Sequence, residues 1–269
     1  MKVKLISATQ NPIDLMWTAA RTCYSEKSPI DIWDEINKDD TKFNVLEMEK
    51  RWNLVKTVLD SGHESIAESV NFTFAIEGVS RSLLAQITRH RTGVVFSVQS
   101  QRYVEFKESF DTLSELFENP KTDKDEEYLM FIAHKYFIGI TNSNYRMYIQ
   151  ALLSYLHAIK LGSKPEDARM ILPNATKTNI VMTINLRELM HISNLRLCTR
   201  AQAEIRMLFG IIKQEVKKYE ERFEVLLAPT CFKLGYCPEH KSCRRKPIKQ
   251  EVFEYYERYK NLNDEWFCS

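Results

Sequence analysis

Apolar and polar positions alternate through the start of "MKVKLISATQ", and the alternation predicts a strand over residues 2–8. In "NPIDLMWTAARTCY", Asn11 as a cap and Pro12 at the first helical position predict a helix. Leu46, Trp52, Val55 and Leu59 fall at helical spacing within residues 42–60, and Gly62 supplies the stop. The period then changes to two. In "SVNFTFAIEG", Val70, Phe72, Phe74 and Ile76 share one side, which predicts a strand with one buried face. Ser80 caps a further helix that carries Leu83, Leu84 and Ile87 and ends near "RHR".

The charged stretch "NPKTDKDEE" (119–127) predicts a loop, after which a long helical pattern runs to about Leu161, bent at Gly139. Ser163, with Pro165 and Glu166, starts a short helix through "DARMIL" that Pro173 ends. "TKTNIVMTI" predicts a strand, "NLRELMHISNLR" a helix, and "RAQAEIRMLFGIIKQEVKKYEERFEVLL" one long amphipathic helix. There is no internal repeat and no linker-like break in composition. Helices with a few scattered strands predict a helix-rich α+β domain.

Composition narrows the chemistry. The chain has 269 residues with a net charge of only +2, so a broad basic surface for polyanions is not expected. No apolar run approaches the ~18 residues of a membrane span, and the N-terminus lacks an apolar signal core, so a cytoplasmic setting is expected. In that setting the six cysteines stay reduced. None of the seven glycines forms a G-x-G-x-x-G or Walker loop. Any nucleotide phosphate must therefore be held by arginine side chains and helix N-termini.

Polar side chains of that kind gather in two places. "RHRTGVVFSVQSQRY" (89–103) ends in Ser100, Gln101, Arg102 and Tyr103: a hydroxyl, an amide, a guanidinium and a ring within one segment. Such a set suits a planar, anionic ligand, although "RHR" alone also fits a solvated helix end. Gln86, three residues before Arg89, is predicted to share its helix face. Farther along, Arg187, His191 and Asn194 form one helical stripe, while Leu186, Leu189, Met190 and Leu197 are placed toward a core. Wet helix faces are usually filled by Lys and Glu, whereas this one carries Asn, Arg and His. "SGHESIAESVNF" adds His63 and Ser65.

"RHRTGVVFSVQSQRY" resembles the signature of flavin-dependent thymidylate synthases, an R-H-R followed after seven or eight residues by a serine. "AARTCY", "GHESIAE" and "ARMILP…INLRELMHISNLR…AQAEI" resemble the same family in the same order, over roughly residues 19–205. The resemblance implies a central, mostly antiparallel sheet, two long helices and no Rossmann fold. It further implies a synthase domain over residues 1–228, with a Cys-containing tail, 229–269, packed on it. The implied reaction makes dTMP from dUMP, with methylenetetrahydrofolate as carbon donor and reduced FAD, regenerated by NADPH, as reductant. A homotetramer with shared active sites is implied, with no nucleic-acid or membrane partner.

By position, the resemblance puts His63, Ser65, Arg89, His90, Arg91, Asn185, Arg187 and His191 at the flavin. It puts Gln86, Ser100, Gln101, Arg102, Arg169 and Arg196 at dUMP, with Arg196 and Ser100 nearest the chemistry. Arg102 and Arg169 suit the phosphate. Arg196 suits the negative charge that develops on the uracil carbonyls.

The chain departs from the family pattern at Val98, where Glu or Gln is usual, at Arg200, and at Cys23. Gln99 is the expected substitute at the first. The departure at Val98 leaves one alternative, a flavin- and dUMP-binding protein with lost or altered methyl transfer; the arginine clusters leave another, more remote, a nucleic-acid-binding protein. "CFKLGYCPEHKSC" spaces Cys231, Cys237, His240 and Cys243 as C-x5-C-x2-H-x2-C, a set able to hold zinc, but the spacing matches no standard finger and free thiols are expected.

No partner base for Ser100 is evident in the sequence, so it is read as a hydrogen-bonding residue. Ser100→Ala is expected to retain measurable dTMP formation. Complete loss of turnover with dUMP binding intact would instead mark Ser100 as a nucleophile.

Overall fold

The computed structural model describes residues 1–38 and 45–255. Four strands, β1 (Lys2–Ala8), β2 (Asn71–Ser80), β3 (Val94–Val98) and β4 (Lys177–Asn185), form one antiparallel sheet in the order β1-β2-β4-β3. The fold is α+β. The contacts of the chain divide into two compact units.

The first unit holds Met1–Lys4, Phe74–Arg91 and Val95–Thr183. Phe74 and Ile76 on β2 and Ile180 and Met182 on β4 are buried, and exposed or half-buried residues alternate with them, as period two requires. Helix α4 (Arg81–Ile87) starts where Ser80 Oγ accepts the N–H of Leu83 at 2.9 Å, the predicted cap. A second core lies among α5 (Phe110–Glu118), α6 (Asp123–Tyr136) and α7 (Tyr145–Lys160). Ile149, Leu152, Leu153 and Leu156 supply the buried stripe of α7, each contributing about 1.5–3 kcal/mol. Phe106 meets Tyr136 and Tyr155 edge-on at 4.7 and 5.1 Å. Helix α8 (Pro165–Ala168) leads into a 3₁₀ turn, Arg169–Ile171.

The second unit holds Leu5–Thr73, Thr92–Val94 and the chain from Ile184 onward. It contains α1 (Pro12–Thr22), α2 (Pro29–Lys38), α3 (Val45–Asp60), a 3₁₀ helix (Glu64–Ser69), α9 (Leu186–Arg196), α10 (Ala203–Tyr219), a 3₁₀ helix (Glu221–Leu226) and α11 (Thr230–Leu234). Phe223 packs on Trp52 and edge-on against Phe72 at centroid distances of 6.1 and 6.3 Å. The Arg51 and Asp14 side chains, both mostly buried, pair at 2.8 Å and tie α3 to α1.

Several expectations are corrected. The single long helix ending at Leu161 is two helices, α6 and α7, because the backbone at Gly139 takes φ +78 and the chain turns. The charged loop stops at Thr122: Asp125 accepts the N–H groups of Lys121 and Thr122, so its last residues are the first turn of α6. Helix α10 ends at Tyr219 and a separate 3₁₀ helix follows. The N-cap of α8 is Lys164, not Ser163. Leu46 is 71% exposed and lies off the buried stripe of α3. Asn11 precedes α1 as expected, but in the left-handed region (φ 48) and without a side-chain cap bond. Residues 42–44 of the helix predicted over 42–60 lie outside the described residues. Helices α2 and α5 and strand β3 have no counterpart in the sequence reading.

One glycine in the second unit is structurally obligatory. Gly93 has φ +66, and a Cβ there would lie 2.4 Å from Asn185 Nδ2. Gly93→Ala is expected to lower stability by at least about 1–2 kcal/mol, from left-handed strain and the displaced Asn185 cap. An unchanged denaturation midpoint would refute this.

Candidate functional site

In the first unit, Ser100 opens the turn after β3. Its Oγ accepts the N–H of Arg102 at 3.1 Å, and its carbonyl accepts the N–H of Val104 at 3.1 Å. This side-chain turn fixes Gln101 and Arg102 immediately beside it. Gln99 explains the departure at Val98. Its N–H bonds to the Asn179 carbonyl at 2.9 Å, and its Oε1 accepts from Asn179 Nδ2 at 2.9 Å. The extra residue is thus pinned to β4 as a continuation of the sheet edge, and Ser100 begins the turn undisturbed.

Arg102 and Arg169 converge on one residue. Arg102 Nε pairs with Glu166 Oε2 at 2.6 Å, and Arg169 Nε donates to the Glu166 carbonyl at 3.0 Å. Arg81, which the sequence reading missed, lies close enough to Arg169 to feel its charge. Burial first, and then the Arg169 guanidinium, holds the Arg81 pKa below the usual arginine range. Arg81 Nη2 donates to the Gln99 carbonyl at 3.1 Å, but its buried Nε has no partner. A signal was available: a cation in the first turn of a helix opposes the macrodipole and needs a reason.

Arg81, Gln99, Ser100, Gln101 and Asn179 line a cavity of about 380 Å³, within the range of small-molecule sites. Lys177 and Lys135 also reach it. Burial depresses the Lys177 pKa, whereas Lys135 is held high by the Glu108 carboxylate at 2.6 Å. Crowded guanidiniums with an orphaned buried N–H have the chemistry of an anion site.

Gln86 is half-buried on α4. That helix ends at Ile87, so Arg89 lies in the following turn and does not share the helix face with Gln86 as expected. Arg89 and Arg91 are exposed, and the His90 N–H bonds to the Ile87 carbonyl at 3.1 Å.

The second unit holds the other candidates. Asn185 ends β4 and caps α9, its Oδ1 accepting the N–H of Glu188 at 2.8 Å. The amide NH₂ is left as the end able to meet a ligand. Arg187 and His191 project from the exposed face of α9, while Leu186, Leu189 and Met190 are buried; Leu197 is only half-buried. The 3₁₀ helix 64–69 packs on α9. It brings Glu68 onto Arg187, with Glu64 Oε2 at 4.0 Å from the same guanidinium. Exposed His63 and Ser65 belong to this same 3₁₀ turn. Burial raises the Glu188 pKa against the pull of His191 and Arg187. Arg196 stands at the end of α9. The eight expected flavin residues thus divide, with Arg89, His90 and Arg91 in the first unit and five in the second. The expected dUMP residues all lie in the first unit except Arg196.

Fold and site define an α+β protein in which Arg81, Arg102 and Arg169 gather beside the Ser100 turn and no glycine loop is present. Residues 4–220 match the family model described as "Thymidylate synthase complementing protein". The chain is 35% identical over 243 residues to the flavin-dependent thymidylate synthase of Pyrococcus abyssi, covering 89% of this chain and 90% of that one. It is 41% identical over 219 residues to that of Haloarcula marismortui, covering 77% and 86%. Its fold resembles the flavin-dependent thymidylate synthase of Helicobacter pylori solved with FAD and dUMP, with a TM-score of 0.62 at 24% identity, over 84% of this chain and 98% of that one. The chain belongs to the flavin-dependent thymidylate synthases, a family of methyltransferases. No helix among the described residues is long and apolar enough to cross a membrane.

The anion reading gives a ligand-independent test. Inorganic phosphate is expected to raise the thermal midpoint of the wild-type chain, and Arg81→Met to lose that response. The same substitution removes a partly buried, repelled cation, so the anion-free chain should gain about 0.5–1.5 kcal/mol. An equal phosphate response in both proteins would refute the assignment.

Proposed function

We propose that this chain makes dTMP from dUMP, with methylenetetrahydrofolate as carbon donor and FAD, regenerated by NADPH, as redox cofactor. The observation that carries the dUMP assignment is the cluster of Arg81, Arg102 and Arg169, with its unpartnered Arg81 Nε, beside the Ser100 turn. A phosphate dianion would take the orphaned donor and displace Glu166 from Arg102. That exposed pair contributes about 0–1 kcal/mol, so displacing it costs little. Ser100, Gln101 and Gln86 supply the neutral hydrogen bonds that orient the nucleotide.

Arg196 serves the base. When uracil C5 becomes nucleophilic, charge moves onto the ring carbonyls, and a fixed guanidinium lowers that barrier. The flavin residues are donors on side chains, in keeping with a chain that has no glycine cradle. Arg187, His191, the Asn185 amide, His63, Ser65 and the Arg89–His90–Arg91 run would hold the cofactor. Bound FAD supplies the reducing equivalents, while these side chains bind and orient it. The assembly we propose is a cytoplasmic homotetramer with sites shared between subunits, so the two residue sets need not meet within one chain.

The test is anaerobic incubation of the purified protein with FAD, NADPH, methylenetetrahydrofolate and dUMP, with dTMP read by mass. Product is expected from wild type, and Arg196→Ala should lose at least about 100-fold in turnover, the scale of removing one oxyanion-stabilising donor. Folded, flavin-bound wild-type protein that yields no dTMP would overturn the proposal.

A further inference from the structure

The second unit contains a cluster of thiols that the reaction does not use. Cys198 follows the end of α9, Cys231 lies in α11, Cys237 follows the left-handed turn at Gly235, and Cys243 lies beyond it. All four are free thiols, and all four line one cavity of about 290 Å³. This set differs by one member from the pattern C-x5-C-x2-H-x2-C. His240 is exposed and not part of the lining, and Cys198, 33 residues before Cys231, takes its place.

The tail itself supplies a second, independent reason. Past Leu227, the only buried side chain among the described residues is that of Cys237. Phe232, Leu234 and Phe253 are 52%, 44% and 55% exposed. A segment with so little apolar burial has no hydrophobic means of holding its fold, and chains in that position use a covalent or metal staple. Its regular pairing is slight: the Cys237 N–H bonds to the Pro247 carbonyl at 2.7 Å, beside a single parallel bridge from Cys237 to Ile248.

We propose that Cys198, Cys231, Cys237 and Cys243 form a four-thiolate site for a structural zinc ion, which fastens the tail to the end of α9. Soft sulfur donors in this number select zinc over hard cations. Arg196, Arg200 and Glu239 line the same cavity, with Arg200 paired to Glu239 at 2.5 Å, so the lining adds a net positive charge that would offset part of the excess negative charge of four thiolates around a divalent ion. Donors for thiolate sulfur are in place, since the Thr199 hydroxyl and the Arg245 N–H hydrogen-bond to Cys243. Cys237, Cys198 and Cys243 each interact electrostatically with Cys231, which stands between them as the common neighbour. No three of the sulfurs are all within 4.8 Å of one another, so binding would draw the sparsely packed tail inward. Four thiol protons pass to solvent as the ion binds, and uptake weakens with acidity.

The test uses the full chain, reduced, stripped of metal and titrated with Zn²⁺ and then Co²⁺. The expected result is uptake of about one ion per chain, thiolate-to-cobalt charge-transfer bands, and tryptic cleavage within 229–255 slowed at least about tenfold by metal. A C231S/C243S double variant should lose all three. Folded wild-type protein with four reactive thiols that binds less than about a tenth of an ion per chain would overturn the proposal. So would uptake unchanged in the double variant. Neither readout depends on methyl transfer, so a failed dTMP assay and a failed metal titration are separable.

Discussion

The second unit depends on how the chain passes through Asn185. At that residue a strand stops and a helix starts, and three bonds fix the change of direction. The Asn185 N–H bonds to the Gly93 carbonyl at 2.9 Å, its side chain caps the N–H of Glu188, and the Leu186 N–H bonds to the Val70 carbonyl at 2.7 Å. The same junction thus ties the segment after Arg91, the strand entry at Val70 and the helix carrying Arg187, His191 and Arg196. It needs a residue without a Cβ at 93 and a short side-chain acceptor at 185. The polar residues of α9 inherit their direction from this arrangement, because a helix whose first turn is fixed has the azimuth of every later side chain fixed with it.

A second theme is the use of carboxylates as placeholders. Arg102 rests on Glu166, and Arg187 on Glu68 and Glu64. Exposed pairs of this kind are individually weak, so they hold a side chain in place without competing strongly with a phosphate. Arg81 is different: it is partly buried, repelled by Arg169 and left with an open Nε. That arrangement costs stability in the anion-free protein, the usual cost of a site arranged for its ligand.

Much of this was legible in the sequence because it is local. The alternation of Val70, Phe72, Phe74 and Ile76, the Ser80 cap and the Asn185–Leu186 helix start are short-range signals, and each reappears in the structure. What was not legible depends on pairs distant in sequence. Gln99 bonds to Asn179, 80 residues away, and only that contact shows how the residue after Val98 is held to β4. Arg81 gains its meaning from Arg169, and Cys198 from a tail that begins some thirty residues later. Strand β3 is a run of five residues whose apolar face is only partly buried, so its period of two does not stand out, whereas α2 and α5 are amphipathic but short, at 10 and 9 residues.

The absence of a glycine loop has a further consequence. A phosphate cradle made of backbone N–H groups is hard to alter without altering the fold, because every residue type except proline offers the same amide N–H. The grip proposed for Arg81, Arg102 and Arg169 is a set of independent side chains on an unchanged scaffold. Each is one codon change away from a different length, charge or hydrogen-bonding pattern. Such a site can drift in ligand preference one contact at a time while the protein stays folded, which makes its specificity evolvable in small steps.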